Sequence, residues 1–334
     1  MADNARNLMR LLYRGILRRE PDEPGWSQWT AALEAGTSLE DIVAAFLESA
    51  ESRNATEASL FVPPGHFYSP VTKISEAERA VAAIEAVPWP STLPGIAIDH
   101  ATMSANWNAL VPYLGRDTFP AEPMAGFRYA YENPSYSWAD GGVLHAVIRH
   151  YKPKRIIEIG NGWSSACMLD TVDFFLNKEC SVTFIDPYQS LLHELVGDSQ
   201  TNIRLIESDI QDVPLAIFDT LERNDILFID STHVLKTGSD VCYELFEILP
   251  RLNSGVLVHI HDMFWPFEYP RMWAVNENRA WNELYAVRAF LTNNEQWEIV
   301  LFNDYLAKLA RQTVEETWPS FLRNSGGALW LRRK

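Results

Sequence analysis

Cysteine is nearly absent from this 334-residue chain: there are three, Cys167, Cys180 and Cys242, with no CxxC pair. An odd number of widely spaced cysteines does not read as a disulfide framework or a zinc site, and leaves small buried hydrophobes as the reading. Also missing is any run of about 18 uncharged apolar residues, the length a membrane span requires, so no membrane partner is expected. The opening MADNARNLMRLLYRGILRRE lacks an apolar stretch followed by a small-residue cleavage site, so no signal peptide is expected and the cytoplasm is the default compartment. Positive charge is scarce. Lys and Arg number 28 against 44 Asp and Glu, a net charge of −16, and no basic run is interleaved with aromatics. Such a surface repels phosphate backbones and anionic headgroups, so nucleic acid is not an expected partner; the partner expected is a small-molecule substrate.

What is present is globular: 47% hydrophobic and 22% charged residues, in a length that suits two domains or one large domain with an accessory piece. Leu8, Leu12 and Ile16, widened by Tyr13 and Leu17, predict a first helix. Pro21 to Gly25 predicts a turn, and a second helix is expected from Trp26 to Ala35, ended by Gly36. Ser38 reads as an N-cap with Asp41 at the third helical position, before a helix carrying Ile42, Val43, Phe46 and Leu47 on one side. The string from Leu12 to Glu51, YRGILRREPDEPGWSQW and then a helix ending in SAE, resembles a small helical module catalogued as a domain of unknown function. That resemblance implies positioning or protein contacts, dimerisation included, and not chemistry. Residues 1–52 are therefore expected to form a helical accessory module. Residues 53–134 are expected to form a linker, marked by Pro63-Pro64-Gly65 and Pro70, and a helical, aromatic-rich lid region, with helices at 75–86 and near 99–113.

From Ser135 onward the pattern alternates. Helix 139–150 precedes β-rich runs at 155–159, 181–185, 203–207, 226–229, 255–260, 297–302 and 328–331. Strands separated by helices predict an α/β fold, a Rossmann-like, doubly wound, mostly parallel seven-stranded sheet over 135–334.

The first strand leads into RIIEIGNGWSS, where Gly160 and Gly162 permit a tight turn and close backbone approach to a ligand. A GxG alone is weak. Its context is stronger: successive strands end in Glu158, in Asp186 (TFIDPY), in Asp209 (ESDI) and in Asp230 (FIDSTH), four carboxylates on one sheet edge. Each alone suits a turn or a helix cap; four together do not. The loop lacks a third glycine at the GxGxxG position and a P-loop lysine, so a ligand without pyrophosphate, such as S-adenosylmethionine, fits better than a dinucleotide.

The strings NPSYSWADGGVLHAVIRHYKPKRIIEIGNGWSS, LFIDSTHVLKTGSDV, EILPRLNSGVLVHIHDMFWPFEYPRMW and GGALWLRRK resemble class I S-adenosylmethionine-dependent methyltransferases of a bacterial O-methyltransferase-like group, over roughly residues 95–334. The resemblance implies an antiparallel last strand and an S-adenosyl-L-methionine cofactor. It implies that Glu158, Gly160 and Gly162 hold the methionine part, with Asn161, Ser164 and Ser165 of the same loop also at the cofactor. It places Asp186 and Pro187 at the ribose, Asp209 and Ile210 at the adenine, Asp230 at the central crevice, and Tyr136, Ser137 and Trp138 where such proteins close over the cofactor.

Methyl transfer to a hydroxyl needs alignment and somewhere for a proton to go. Asp230, His233 and His261 are the catalytic candidates at the ends of the fourth and fifth strands, His233 as general base or as the holder of a loop. Metal-dependent catechol-type relatives carry carboxylate and amide ligands at similar points. Here Asp230, His261 and Asp262 would form a mixed set for a divalent metal such as Mg, or there is none. His259 is expected to be a hydrogen-bonded core residue. An ion pair between Lys236 and Asp240 is the simpler account of VLKTGSD, and PFEYPRMW (266–273) is expected to line the acceptor pocket or to pack on the surface. The function expected is O-methylation of a small polar acceptor, a sugar or glycan or a secondary-metabolite intermediate. Two alternatives stand beside it: non-methyl sulfonium chemistry such as cyclisation of the cofactor, and a non-catalytic interaction protein on the same scaffold.

Overall fold

The structure, a computed structural model, describes residues 2–17, 19–49, 61–115, 118–196 and 203–334. The chain divides into two compact units, Met1–Ala77 and Glu78–Lys334. Ala50 and Glu51 of the module's SAE end and residues 52–60 of the expected linker lie outside the described residues.

In the first unit, α1 (Ala2–Ile16), α2 (Glu23–Glu34) and α3 (Leu39–Glu48) surround a small core of Met9, Tyr13, Leu17, Ile42 and Phe46. Tyr13 and Leu17, expected to widen the stripe of the first helix, are buried together with Met9, while Leu8, Leu12 and Ile16 are only partly buried. In α3, Ile42 and Phe46 are buried but Leu47 is exposed. Helix α2 starts earlier than the PDEPG turn predicts. Asp22 caps it by accepting from the Gly25 amide at 2.8 Å, and Pro24 sits in the first turn, where its missing N–H costs nothing. A Cβ at Gly25 would lie 2.0 Å from the Tyr13 hydroxyl, so the glycine lets α2 approach α1. Ser38 accepts from the Asp41 amide, the cap expected of it. Helix α4 (Ile74–Glu85) runs into the second unit.

The second unit is built on α5 (His100–Leu110), α6 (Trp138–Tyr151), β1 (Arg155–Ile159), α7 (Trp163–Phe175), β2 (Ser181–Ile185), α8 (Ser190–Val196), β3 (Ile203–Ile206), β4 (Ile226–Ile229), α9 (Asp240–Tyr243), β5 (Leu257–Ile260), α10 (Glu283–Leu291), β6 (Trp297–Phe302), α11 (Asn303–Leu309), α12 (Arg311–Thr317) and β7 (Leu329–Arg333). These strands form one sheet in the order β3-β2-β1-β4-β5-β7-β6. All neighbours are parallel except β7, which runs antiparallel to both β5 and β6. The doubly wound α/β sheet and the antiparallel last strand are therefore present. Two hydrophobic clusters cover its faces, one around Val143, Phe184 and Phe228, the other around Ile157, Leu227 and Val258. β1 and β4 are buried along almost their whole length, which is why they read as unbroken apolar runs. Residues of the expected lid belong to this core: Phe119, Tyr129 and Tyr131 are buried, and Asp170 on α7 accepts from the amides of Arg128 and Tyr129 and from the Arg128 guanidinium. Among the described residues no helix is long and apolar enough to cross a membrane.

The strand order reverses between β1 and β4, and such a switch point opens a crevice at the carboxyl ends of the strands. The loops after β1 and β4 meet there. Gly160 has φ +84°, and a Cβ on it would lie 1.9 Å from the Asp230 carbonyl oxygen.

Candidate active site

A cavity of about 400 Å³ opens at this edge. Its wall is made by Gly160 after β1, Asp186 and Pro187 after β2, Asp209 and Ile210 after β3, and Asp230 with the following loop after β4. Six of the residues expected at the cofactor thus share one cavity. Asp186 also ties the edge together: its carboxylate accepts from the Asn161 amide at 3.1 Å and the Tyr188 amide at 2.6 Å, and each oxygen keeps a further lone pair. Burial raises its pKa.

The other expected cofactor residues do not line this cavity. Glu158 is fully buried and turned into the start of α7, where its two oxygens accept from Ser164 Oγ at 2.5 Å and Ser165 Oγ at 2.6 Å. Burial pushes its carboxyl up to about 8 against those donors. Ser165 Oγ accepts in turn from the Gly162 amide, so this set fixes the loop's shape. Ser137 Oγ accepts from Asn324 Nδ2 at 2.8 Å. Trp138 stacks on Tyr131, with ring centroids 4.7 Å apart and planes 7° apart, and Tyr136 packs on the His261 ring at 5.1 Å.

Asp230 belongs to two groups at once. It lines the cavity, with its side chain 32% exposed, and its Oδ1 lies 3.5 Å from His233 Nε2. From there a polar cluster runs inward. His233 Nε2 is 3.3 Å from Asp262 Oδ2, His261 Nε2 is 3.4 Å from Asp262 Oδ1, and His233 Nδ1 is 2.8 Å from Glu283 Oε2. With a carboxylate against each ring nitrogen, His233 donates from both and carries a positive charge. Burial alone would lower its pKa; hydrogen bonds to Asp230 and Glu283 and the charges of both raise it to about 11. A ring so held is a poor proton acceptor at neutral pH. Burial also disfavours the charged form of His261, but Asp262, Asp230 and Asp140 together raise its pKa.

The candidate metal set does not fit a divalent ion. Among the described residues no three His, Cys, Asp or Glu side chains converge in a metal-holding geometry. The His233 ring nitrogen, a donor here, lies 3.5 Å from Asp230 and 3.3 Å from Asp262 and so occupies oxygens of two of the three candidate ligands.

His259 is a core residue, stacked on Phe228 at 4.0 Å and tilted on Trp330 at 4.8 Å. The hydrogen bonds expected of it are not there: both ring nitrogens are buried without a partner among the described residues, and burial keeps the ring neutral. No ion pair joins Lys236 to Asp240 among the described residues. Asp240 instead accepts from the Thr232 amide at 2.9 Å and hydroxyl at 2.6 Å, folding the loop on itself.

Two acids in the site were not anticipated. Asp140, buried in α6, has its carboxyl raised to about 7 by burial, opposed by His261 and reinforced by Asp262. A Cβ at Gly326 (φ +63°) would strike that carboxyl. Glu283 lies fifty residues from the histidine it binds. ADGG offered a faint signal, a carboxylate in a helix buried all round; WNEL offered none.

A second cavity, of about 350 Å³, is walled by Trp89, Phe264, Trp265 and Tyr269 with Glu268 and Lys308, so part of PFEYPRMW does line a pocket. Phe264 and Ser325 line it, and the segments they belong to also carry Asp262 and Gly326, which face the carboxylate cluster.

Residues 157–263, from within β1 to just past β5, match the family described as "Methyltransferase domain". An uncharacterized protein of Archaeoglobus fulgidus is 32% identical over 192 residues, which cover 57% of this chain and 86% of that protein. The chain belongs to the methyltransferase-domain family. Residues 4–56 match a second family, "Domain of unknown function (DUF4214)". Among solved structures, the chain is similar to the S-adenosylhomocysteine-bound methyltransferase PaMTH1 of Podospora anserina, at 15% identity and TM-score 0.38 over 78% of this chain and 96% of that one. It is also similar to the O-methyltransferase TomG of Streptomyces achromogenes, involved in tomaymycin synthesis, at 14% identity and TM-score 0.37 over 78% and 99%.

Proposed function

We propose that the protein binds S-adenosyl-L-methionine in the first cavity and methylates an oxygen of a small polar acceptor. The observation that carries this reading is the double membership of Asp230: the wall of the cavity and the carboxylate–imidazole cluster share that residue. Asp186 would receive the ribose hydroxyls, and Asp209 with Ile210 the adenine. When bound, the cofactor supplies an electrophilic methyl group. Asp262, set between two imidazoles, is the group we assign to receive the acceptor's proton, while His233 and His261 hold it in place through its two oxygens. The acceptor would reach the cluster from the second cavity, whose aromatic walls and nearby carboxylates suit a ring bearing hydroxyls, such as a sugar. We assign the N-terminal unit, with exposed Phe67 and Tyr68, to protein contacts.

Calorimetry with S-adenosylhomocysteine tests the cofactor assignment. The wild type should bind, and Asp186→Ala should bind at least tenfold more weakly; a wild type that does not bind favours the scaffold reading. Co-product analysis separates the two chemistries, because methylthioadenosine in place of S-adenosylhomocysteine would point to cyclisation.

A further inference from the structure

The segment after β4 has two faces. Ser231, Thr232, Lys236, Gly238, Ser239 and Asp240 wall the first cavity, while His233 turns away from it into the cluster. The side away from the cavity is fastened by the residues that begin α10. The backbone amides of Asn282 and Glu283 both donate to the His233 carbonyl, each at 3.1 Å. The Asn282 side chain forms a two-way pair with Leu235, accepting from its amide at 2.6 Å and donating to its carbonyl at 3.2 Å. Glu283 Oε2 accepts from His233 Nδ1 at 2.8 Å, and the Trp281 ring packs on the His233 ring with centroids 4.5 Å apart.

Two features indicate that this is more than ordinary packing. His233 has φ +61°, a left-handed conformation that a non-glycine residue keeps only when its surroundings over-determine it. Here five hydrogen bonds from two adjacent residues do so. Asn282, moreover, stands at the N-cap of α10, where an asparagine ordinarily caps its own helix, yet its side chain makes no such bond and is turned to Leu235 instead.

We propose that Asn282 and Glu283 are positioning residues. They hold the 231–240 segment in the shape that receives the cofactor, and they aim His233 Nε2 between Asp230 and Asp262. This rests on the reading of the first cavity as the cofactor site.

The test uses the full chain, S-adenosylhomocysteine as the probe, titration calorimetry for affinity, and deuterium exchange in the same samples. Asn282→Ala should lose about tenfold in affinity, the equivalent of about 1.4 kcal/mol. Exchange should rise in residues 231–238 and stay at the wild-type level in β1 and α7. Glu283→Gln keeps an oxygen that can accept from His233 Nδ1 and should bind within about threefold of the wild type, while Glu283→Ala should not. Asn282→Ala and Glu283→Ala proteins that bind like the wild type with unchanged exchange would overturn the proposal. So would loss of protection throughout the second unit, which would make these residues general supports. A wild type that fails to bind the probe refutes the cofactor reading, and the exchange in 231–238 still decides whether α10 holds the segment.

Discussion

Replacing Gly160 by alanine should lower the stability of the second unit sharply, while the same change at Gly162, two residues on, should leave it nearly unchanged. At Gly160 the added methyl would lie 1.9 Å from the Asp230 carbonyl oxygen, and φ is +84°. The left-handed backbone costs a non-glycine residue about 1–2 kcal/mol, and forcing a methyl into a packed seam costs about 1–3 kcal/mol more. The sum is about 2–5 kcal/mol. In a unit of this size 1 kcal/mol moves the melting temperature by about 2–4 °C, so Gly160→Ala should melt roughly 4–20 °C lower. At Gly162 φ is 167°, extended backbone open to any residue, and nothing lies closer to an added Cβ than Leu191 Cδ2 at 4.0 Å. Loss of a glycine N-cap and gain of a stiffer unfolded chain nearly cancel there, leaving a change within about 1 kcal/mol. Scanning calorimetry of the ligand-free proteins decides the matter. A Gly160→Ala protein that melts with the wild type, or a Gly162→Ala protein that melts as low as Gly160→Ala, would refute the reasoning. It follows that no substitution at Gly160 tests cofactor binding by itself, because the first thing it meets is the protein's own backbone.

Glu158 gives a pH dependence. Its carboxyl is raised by burial from 4.5 to about 8, so the stability it contributes is fully present below pH 4.5 and is lost as pH rises through 8. Glu158→Gln should therefore gain on the wild type in denaturant midpoint between pH 5 and pH 8.5; parallel curves would contradict the assignment. Cys167 and Cys180 are buried and Cys242 is half-buried with its Sγ held at the Lys236 carbonyl, so a thiol reagent should modify at most one cysteine in the native protein and three after unfolding. Faster modification of two or more in the native state would count against the packing around α7. Gly25→Ala should destabilise the N-terminal unit through the Tyr13 hydroxyl, by about 1–3 kcal/mol, and Gly25→Ala with Tyr13→Phe should recover part of that loss in thermal melts. No recovery would mean that the contact is not the cause.

The sheet was legible because its central strands are buried on both faces and so appear as short apolar runs between loops, RIIEI and ILFI above all. The row of acids was legible for a related reason: each strand's end fixes where the next side chain emerges. Side-chain direction was not. Glu158 and Asp186 look alike as acids at strand ends, yet one turns under α7 to two serine hydroxyls and the other stays at the cavity. The stripe of α1 was placed with its centre one position off, although Tyr13 and Leu17 were on it, because two adjacent apolar rows, 8-12-16 and 9-13-17, differ by about 100° around the helix, and only the neighbouring helices decide which is inside. Glu283 was beyond reach, and Asp140 left only a faint signal, because their importance comes from what tertiary folding sets beside them. The protonation of His233 is of the same kind, since it follows from carboxylates contributed by three separate segments.

The loops after β1 and β4 touch with no room for a methyl between them. Two loops so joined cannot drift apart in register: a shift of one is delivered at once to the other. The side of the crevice that would grip a nucleoside and the side that would carry out the reaction are thereby kept in a common frame, and whatever rearrangement ligand binding brings must come from the walls outside that seam.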